Sequence, residues 1–127
     1  MNSSQTILLV EDDPYDQDLF ISALRGMKNT PTFELVNNGK EAIEWLYRAL
    51  LPPKIVFLDI NMPLMDGWEF LEEFERLPEP TRNKCYVIML TSSIDTSDIE
   101  RARRYSSVIE FVSKPLTKDK LKLLESQ

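Results

Sequence analysis

The sequence predicts an α/β fold in which parallel β-strands alternate with helices, and three observations support this prediction. Five short apolar runs occur along the chain, at residues 6–10, 32–36, 54–58, 86–90 and 108–112. Segments with the apolar spacing of helices lie between these runs. Three of the runs are almost continuously apolar, which is typical of strands buried on both faces of a parallel sheet. Repeated strand–helix alternation implies right-handed helical crossovers between the strands.

The first two helices have recognisable start signals. Asp13 is a suitable N-cap and Pro14 fits the first helical position, which predicts a helix over 14–26. A second helix is predicted over 39–51, after Asn-Asn-Gly at 37–39. The apolar positions that define these two helices are Leu19, Phe20, Ala23, Leu24 and Met27 in the first and Ala42, Ile43, Leu46 and Leu50 in the second.

Three further helices complete a predicted set of five. One spans 67–77 with Asp66 as its cap, one lies at roughly 96–105 with a weaker apolar stripe, and one begins near Thr117. The segment PEPTRN at 78–83 is predicted to be a surface loop. No repeat or linker interrupts the chain, so we expect a single domain over residues 1–127.

Composition excludes several classes of protein. The 43% apolar content is ordinary for a globular chain, and the apolar runs are far shorter than the ~20 residues of a membrane helix. The net charge of −6 argues against a nucleic-acid partner, and RARR at 101–104 is interpreted first as a solvated helix face. The start MNSSQT has no secretory signal, so a cytoplasmic location is expected.

The absence of histidine restricts the chemistry further. It removes Ser-His and Cys-His nucleophile pairs and His-ligated zinc. The single cysteine, Cys85, opens an apolar run and is predicted to be a small buried residue. Any chemistry must therefore use carboxylates, hydroxyls, lysine or a bound metal ion.

Polar side chains follow four of the five predicted strands, at the sheet edge where ligands of open parallel sheets bind. Glu11–Asp13 follow the first strand, Asp59 the third, Thr91 the fourth and Lys114 the fifth. Each has a simpler interpretation: an acidic helix start, a turn hydroxyl or a solvated lysine. Asp59 is the hardest to explain in this way, because Asp66 already caps the following helix.

The four groups together indicate phosphoryl chemistry. Clustered carboxylates with open water positions suit Mg²⁺, which would offset their mutual repulsion. An ionised carboxylate beside such an ion is a usable nucleophile for a phosphoryl group and needs no general base. Asp59 is therefore predicted to accept a phosphoryl group, while Thr91 and Lys114 bind its oxygens.

Four motifs together resemble the receiver domain of two-component response regulators, and the resemblance covers essentially the whole chain. The motifs are VEDDP at 10–14, LDINMPLMDG at 58–67, MLTSS at 89–93 and FVSKPL at 111–116. The resemblance implies a flavodoxin-like, doubly wound sheet with strand order 2-1-3-4-5. The resemblance is to the stand-alone, single-domain type of receiver. No output domain is therefore expected after residue 127.

The resemblance also implies a role for each matching residue. Asp59 would be the phosphorylated residue. Asp12 would bind Mg²⁺ directly and Glu11 through water, with the backbone carbonyl of Asn61 as a further ligand. Asp13, one place later, would only cap the first helix.

The switch residues follow in the same way. Thr91 would supply the switch hydroxyl, Lys114 the phosphate-binding amine and Phe111 the switch aromatic ring, and the Lys114–Pro115 bond would be cis. The chain departs from the family pattern at Ser106 and Ser107, where Gly-Ala is common. It also has phenylalanine at 111, where tyrosine is commoner. The stretch YDQDLFISALR resembles receivers that serve phytochrome-type kinases.

The function that the resemblance implies is phosphorelay signalling. A sensor histidine kinase or phosphotransfer protein would donate the phosphoryl group, and an unknown downstream protein would bind the switched surface of a monomer or weak dimer. Nucleic acid and membrane are not expected as partners, and the chain would catalyse only its own phosphorylation and dephosphorylation. Three alternatives stay open: a flavin-binding electron carrier, a phosphohydrolase with an aspartyl intermediate, and a phosphorylation-independent adaptor.

Overall fold

A computed structural model describes residues 6–125, which contain a five-stranded parallel sheet. The strands are β1 (Thr6–Val10), β2 (Thr32–Val36), β3 (Ile55–Asp59), β4 (Tyr86–Thr91) and β5 (Val108–Ser113). They pair in the order β2-β1-β3-β4-β5, which confirms the predicted flavodoxin-like fold. Residues 1–5, on which most of the prediction about a secretory signal rests, lie outside the described residues.

Within the described residues there are six helices, one more than the sequence predicts. They are α1 (Pro14–Arg25), α2 (Gly39–Arg48), α3 (Gly67–Phe74), α4 (Glu79–Arg82), α5 (Thr96–Ala102) and α6 (Lys118–Glu125). The additional helix, α4, is a single turn inside the segment 78–83, for which the loop prediction is wrong. Pro80 is tolerated because it lies in the first turn, and Arg82 Nε donates to the carbonyl of Leu77 at 2.8 Å.

The helices agree with the sequence at their starts and are shorter at their ends. Asp13 accepts a hydrogen bond from the Tyr15 amide at 3.0 Å, and Asp66 and Glu69 form a capping box at the start of α3. The predicted extension of α2 to residue 51 is wrong. The residue before a proline avoids the helical conformation, so Pro52 disfavours helix at Leu51, and Leu50 is 99% exposed.

Two apolar layers cover the two faces of the sheet. The first layer packs against α2, α3 and α5 and includes Leu8, Val10, Val56, Leu58, Val87, Met89, Trp68, Phe70, Leu71, Phe74 and Ala102. The second layer packs against α1 and α6 and includes Ile7, Leu9, Phe57, Ile88, Leu90, Phe20, Ala23, Leu24 and Leu121. Alternate residues of each strand therefore face opposite layers, as expected for a sheet buried on both faces. Cys85 is 2% exposed in the first layer, which confirms its prediction as a buried residue.

The edge strand β5 contains an irregularity in its pairing with β4. Val87 pairs with Val108, but the next residue, Ile88, pairs with Glu110, so Ile109 has no partner in the register. The Ile109 side chain is 52% exposed. Because one residue is inserted, Val108 and Phe111 both pack against the first layer although they are three positions apart. No helix within residues 6–125 is long and apolar enough to cross a membrane.

Candidate functional site

Glu11 and Asp59 meet at the carboxyl ends of β1 and β3. Val10 and Leu58 are register partners, so the residues that follow them are neighbours. Val10 and Leu58 face the first layer, and the alternation of strand side chains therefore turns Glu11 and Asp59 toward α1. The two residues are 1% and 5% exposed. The fold thus places two buried carboxylates side by side.

The backbone around Asp59 is held closely by the loop that leads into α3. The Gly67 amide donates to the carbonyl of Ile60 at 2.8 Å, and the Asn61 amide donates to Asp59 Oδ1 at 3.4 Å. A Cβ at Gly67 would lie 2.9 Å from Ile60 Cα and 3.0 Å from the carbonyl oxygen of Asp59. Only glycine fits this approach without a shift, so the start of α3 fixes the backbone of Asp59.

Lys114 reaches the same carboxylates from the end of β5. Its amide donates to the carbonyl of Thr91 at 2.7 Å, and its bond to Pro115 is cis, as expected. Its ammonium Nζ lies 2.6 Å from Glu11 Oε1, 3.2 Å from Asp59 Oδ1 and 3.1 Å from Asp16 Oδ2. Lys114 therefore shares one cluster of ion pairs with Glu11, Asp59 and Asp16, the last of which is 98 positions away in the chain.

A second lysine, Lys120 on α6, forms hydrogen bonds with the loop that carries Lys114. Lys120 Nζ donates to the carbonyl of Ser113 at 2.7 Å and to the carbonyl of Pro115 at 3.0 Å. It also lies 3.2 Å from the Ser113 hydroxyl. Lys120 thus restrains the backbone on both sides of Lys114.

Burial dominates the electrostatics of the two carboxylates. Burial raises the pKa of Glu11 from 4.5 to about 7, opposed by its hydrogen bond to Lys114 and reinforced by the neighbouring Asp59. Burial also raises the pKa of Asp59, and the Lys114 charge opposes this shift. For Lys114, burial works against the charged form, but hydrogen bonding to Glu11 and the charges of Asp59 and Glu11 raise its pKa above the usual value.

Asp12 completes a set of oxygens that suits a divalent cation. One carboxylate oxygen from each of Glu11, Asp12 and Asp59 lies within 4.8 Å of the others. Mg²⁺ binds six oxygens at ~2.1 Å and usually keeps several waters, so carboxylates grouped this closely can reach one ion directly or through a water. Burial raises the pKa values of Glu11 and Asp59, so their negative charges require more positive charge nearby than one ammonium supplies. The donor set therefore fits the predicted ion.

Asn61, Thr91 and Phe111 are the other residues to which the sequence gives predicted roles. Asn61 lines the cleft above Asp59. Thr91 is 4% exposed, and its hydroxyl donates to the carbonyl of Ser93 at 2.9 Å and accepts from the Ser93 amide at 3.2 Å. Phe111 is partly buried and packs against the first layer beneath α5. The assigned roles of these three residues stay predictions.

A cleft of about 620 Å³ opens over the site. Its lining consists of Asp12, Asp13, Tyr15, Asp16, Leu19, Asp59, Asn61, Ser92, Lys114 and Pro115. Asp16 and Ser92 are two residues of this cleft that the sequence analysis does not single out. A signal for Asp16 exists: it precedes Leu19, Phe20 and Ala23 by three, four and seven positions, so it begins the buried stripe of α1.

Known proteins resemble this chain along nearly its full length. The family model described as "Response regulator receiver domain" matches residues 7–124. A solved structure of a two-component response regulator from Cytophaga hutchinsonii is 35% identical, with a TM-score of 0.85 over 95% of this chain and 93% of that one. Probable methanogenesis regulatory protein FilR2 of Methanothrix harundinacea is 35% identical over 91% of this chain and 76% of its own length.

A further relative is response regulator Rcp1 of Synechocystis, 30% identical over 77% of this chain and 69% of its own length. A solved structure of the Mn²⁺-bound form of response regulator Rcp1 has a TM-score of 0.76 and 26% identity, over 96% of this chain and 90% of that one. Other matched relatives are longer: the chain spans 50% of a probable C4-dicarboxylate response regulator of Halalkalibacterium halodurans.

Proposed function

Because the chain belongs to the response regulator receiver family, we propose that it is a phospho-accepting switch of a two-component pathway and that Asp59 carries the phosphoryl group. The observation that supports this most directly is the ion-pair cluster: Asp59 lies beside Glu11 and Asp12 and 3.2 Å from the Lys114 ammonium. Asp59 therefore has a positive charge from Lys114 beside it and an open cleft above it that could admit a phosphoryl group.

The proposed transfer uses the side chains in the following way. An Asp59 Oδ attacks the phosphorus of a phosphohistidine, an O–P bond forms, and the N–P bond breaks. The histidine nitrogen keeps the bonding electron pair and is later reprotonated. The donor histidine belongs to a sensor histidine kinase or phosphotransfer protein, because this sequence contains no histidine. The chain thus catalyses its own phosphorylation and dephosphorylation rather than the turnover of an external substrate.

The charges of the site support this step. Asp12 and Asp59 would hold Mg²⁺ directly, with Glu11 acting through water and the Asn61 carbonyl as a further ligand. The ion, when bound, neutralises charge on the phosphoryl oxygens. Lys114 would donate to a phosphoryl oxygen, and the Lys120 hydrogen bonds to Ser113 and Pro115 hold its backbone in place.

The proposed output is a change in the surface formed by α5, β5 and α6. Phosphorylation adds about two negative charges and three acceptor oxygens at Asp59. Thr91 would exchange its bonds to Ser93 for a bond to a phosphoryl oxygen, and Phe111 would follow, since both lie on the first-layer side of β4 and β5. A downstream protein would bind the changed surface of a monomer or weak dimer. We further propose that residues 1–127 act as a single receiver domain in the cytoplasm.

Intact-mass measurement tests the proposal. The protein is incubated with Mg²⁺ and either acetyl phosphate or phosphoramidate, and a gain of ~80 Da per chain is expected for one added PO₃H. Asp59→Asn and chelation with EDTA should each abolish the gain. Asp98→Asn on α5, a half-buried aspartate outside the cluster, is the matched control and should leave the gain unchanged. Phosphoryl incorporation that survives Asp59→Asn would refute the assignment of the acceptor.

Three further observations would each favour another class of protein. A yellow purified protein with a flavin spectrum would support the electron carrier. Steady hydrolysis of an organic phosphate would support the phosphohydrolase, although Asn61 stands where such enzymes usually have a second aspartate. Full partner binding by Asp59→Asn would support the adaptor.

A further inference from the structure

Asp16 is a third carboxylate at the Lys114 ammonium, and the sequence analysis gives it no role. Its Oδ2 lies 3.1 Å from Lys114 Nζ, while Glu11 Oε1 is at 2.6 Å and Asp59 Oδ1 at 3.2 Å. An ammonium has three N–H donors, so these three acceptors match its whole capacity. The Lys114 side chain is 14% exposed and that of Asp16 is 25% exposed, so the pair is only partly screened by water.

The three acceptors are not equivalent. Glu11 and Asp59 belong, with Asp12, to the group of oxygens that suits a divalent cation, whereas Asp16 stands outside that group. A divalent cation and the Lys114 ammonium therefore compete for the oxygens of Glu11 and Asp59. Asp16 is the acceptor that such a cation leaves available to the ammonium.

The position of Asp16 is fixed by the start of α1. The Asp13 cap and Pro14 at the first helical position set the helix start, and Gln17 Nε2 donates to the carbonyl of Glu11 at 2.7 Å. This last bond ties α1 to the residue that follows β1. Asp16 therefore lies on the α1 side of the cleft, within hydrogen-bond distance of the Lys114 ammonium.

We infer that Asp16 is a positioning residue that keeps the Lys114 ammonium on the α1 side of the cleft while Asp12 and Asp59 bind the divalent cation directly and Glu11 binds it through water, an inference that rests on the proposed function. Two effects of Asp16 have the same sign. Its negative charge favours a cation in the cleft, and its hydrogen bond lowers the cost of moving the ammonium away from the shared oxygens. Loss of the Asp16 carboxylate should therefore weaken cation binding.

Mn²⁺ binding tests the inference without any phosphorylation step. Free Mn²⁺ is measured by electron paramagnetic resonance during titration of the full chain. Asp16→Asn should weaken Mn²⁺ binding about three- to tenfold, which corresponds to ~0.7–1.4 kcal/mol. Asp18→Asn, two positions further on the exposed side of α1, removes the same charge from the same helix and should change binding less than twofold.

A double-mutant cycle separates the effect of the Asp16–Lys114 contact from the effect of the Asp16 charge alone. Lys114→Met should strengthen Mn²⁺ binding, because the competing ammonium is gone, and adding Asp16→Asn to it should change binding less than twofold. Asp16→Glu should bind more like the wild type than like Asp16→Asn. Far-UV circular dichroism should show that every variant keeps the wild-type fold.

The outcomes distinguish failure of the inference from failure of the proposed function. Wild-type affinity in Asp16→Asn, or an equal loss with and without Lys114, would overturn the role of Asp16 and leave the metal site intact. A wild-type chain that leaves all Mn²⁺ free would overturn both the metal site of the proposed function and the inference.

Discussion

The guanidinium of Arg101 on α5 lies over the indole ring of Trp68 on α3, with its Cζ 4.4 Å from the ring centroid. Trp68 is 7% exposed, and the arginine covers part of the indole surface that the core leaves open. Beside it, the hydroxyl of Tyr105 donates to Glu72 of α3. These two contacts join the end of α5 to α3. Arg101 is therefore a packing residue, although the sequence first predicts that residues 101–104 form a solvated helix face.

We expect Arg101→Ala to destabilise the protein by ~0.5–1 kcal/mol, the usual value of an exposed cation–π contact. Urea unfolding followed by Trp68 fluorescence in a Trp45→Phe background measures this loss. The same substitution at the exposed Arg104 is the control and should cost less than half as much. Equal losses at the two positions would show that the indole contact contributes nothing specific.

Gly67→Ala should destabilise the protein by ~1–3 kcal/mol, because the new methyl group overpacks the backbone of Ile60 and Asp59. If Asp59 is the acceptor as proposed, the same shift should slow phosphorylation by small donors, since it displaces that residue. Chemical unfolding and the intact-mass assay measure the two effects. Gly26→Ala is the control: its methyl group meets neighbours at 3.4–3.5 Å and φ is −79°, so stability should stay within ~0.5 kcal/mol of wild type or rise.

Lys120→Met should loosen the loop that carries Lys114, because the carbonyls of Ser113 and Pro115 lose their donor. We expect a loss of ~1–2 kcal/mol in the free energy of unfolding. Amide hydrogen exchange should accelerate at Leu116 and its neighbours before it does so in β1. Lys122→Met, on the exposed side of the same helix, should change neither quantity. Unaltered exchange in Lys120→Met would show that the loop keeps its position without this lysine.

Cys85 should resist thiol reagents in the native protein. Burial raises the pKa of the thiol from 9.0 to about 11, so at pH 8 almost none of it is the reactive thiolate, and the side chain is 2% exposed. With a disulfide reagent that absorbs on reaction, we expect labelling at the rate of unfolding and complete labelling in denaturant. Rapid stoichiometric labelling of the native chain would contradict this.

The parts of the site that follow from strand order are readable from the sequence. Glu11 and Asp59 come directly after an apolar run and Lys114 follows one with a single residue between, and parallel strands bring such positions to one edge whatever the details of packing. The cap residues Asp13 and Asp66 are equally local, because their partners lie two and three positions away.

Other features depend on how elements are rotated and where they stop. Asp16 meets Lys114 only because of the rotation of α1 about its own axis relative to β5, and 98 positions separate the two residues. The short helix α4 is fixed by a contact between Arg82 and the carbonyl of Leu77 that no periodicity indicates. The direction of the Thr91 hydroxyl is a choice between rotamers, and composition carries no information on it.

The unpaired Ile109 sets which side chains of β5, the strand that leads to Lys114, face each side of the sheet. In an unbroken ladder, a residue three positions after Val108 would face α1 and α6, and Phe111 would lie on the wrong side of the sheet from Thr91. Removing residue 109 would leave Val108 and Phe111 two positions apart, so a regular ladder would keep Phe111 on the side of Thr91. A strand that instead paired Ile109 in the ladder would place the Phe111 ring and the Thr91 hydroxyl on opposite sides of the sheet, although every side chain named in the site would still be present.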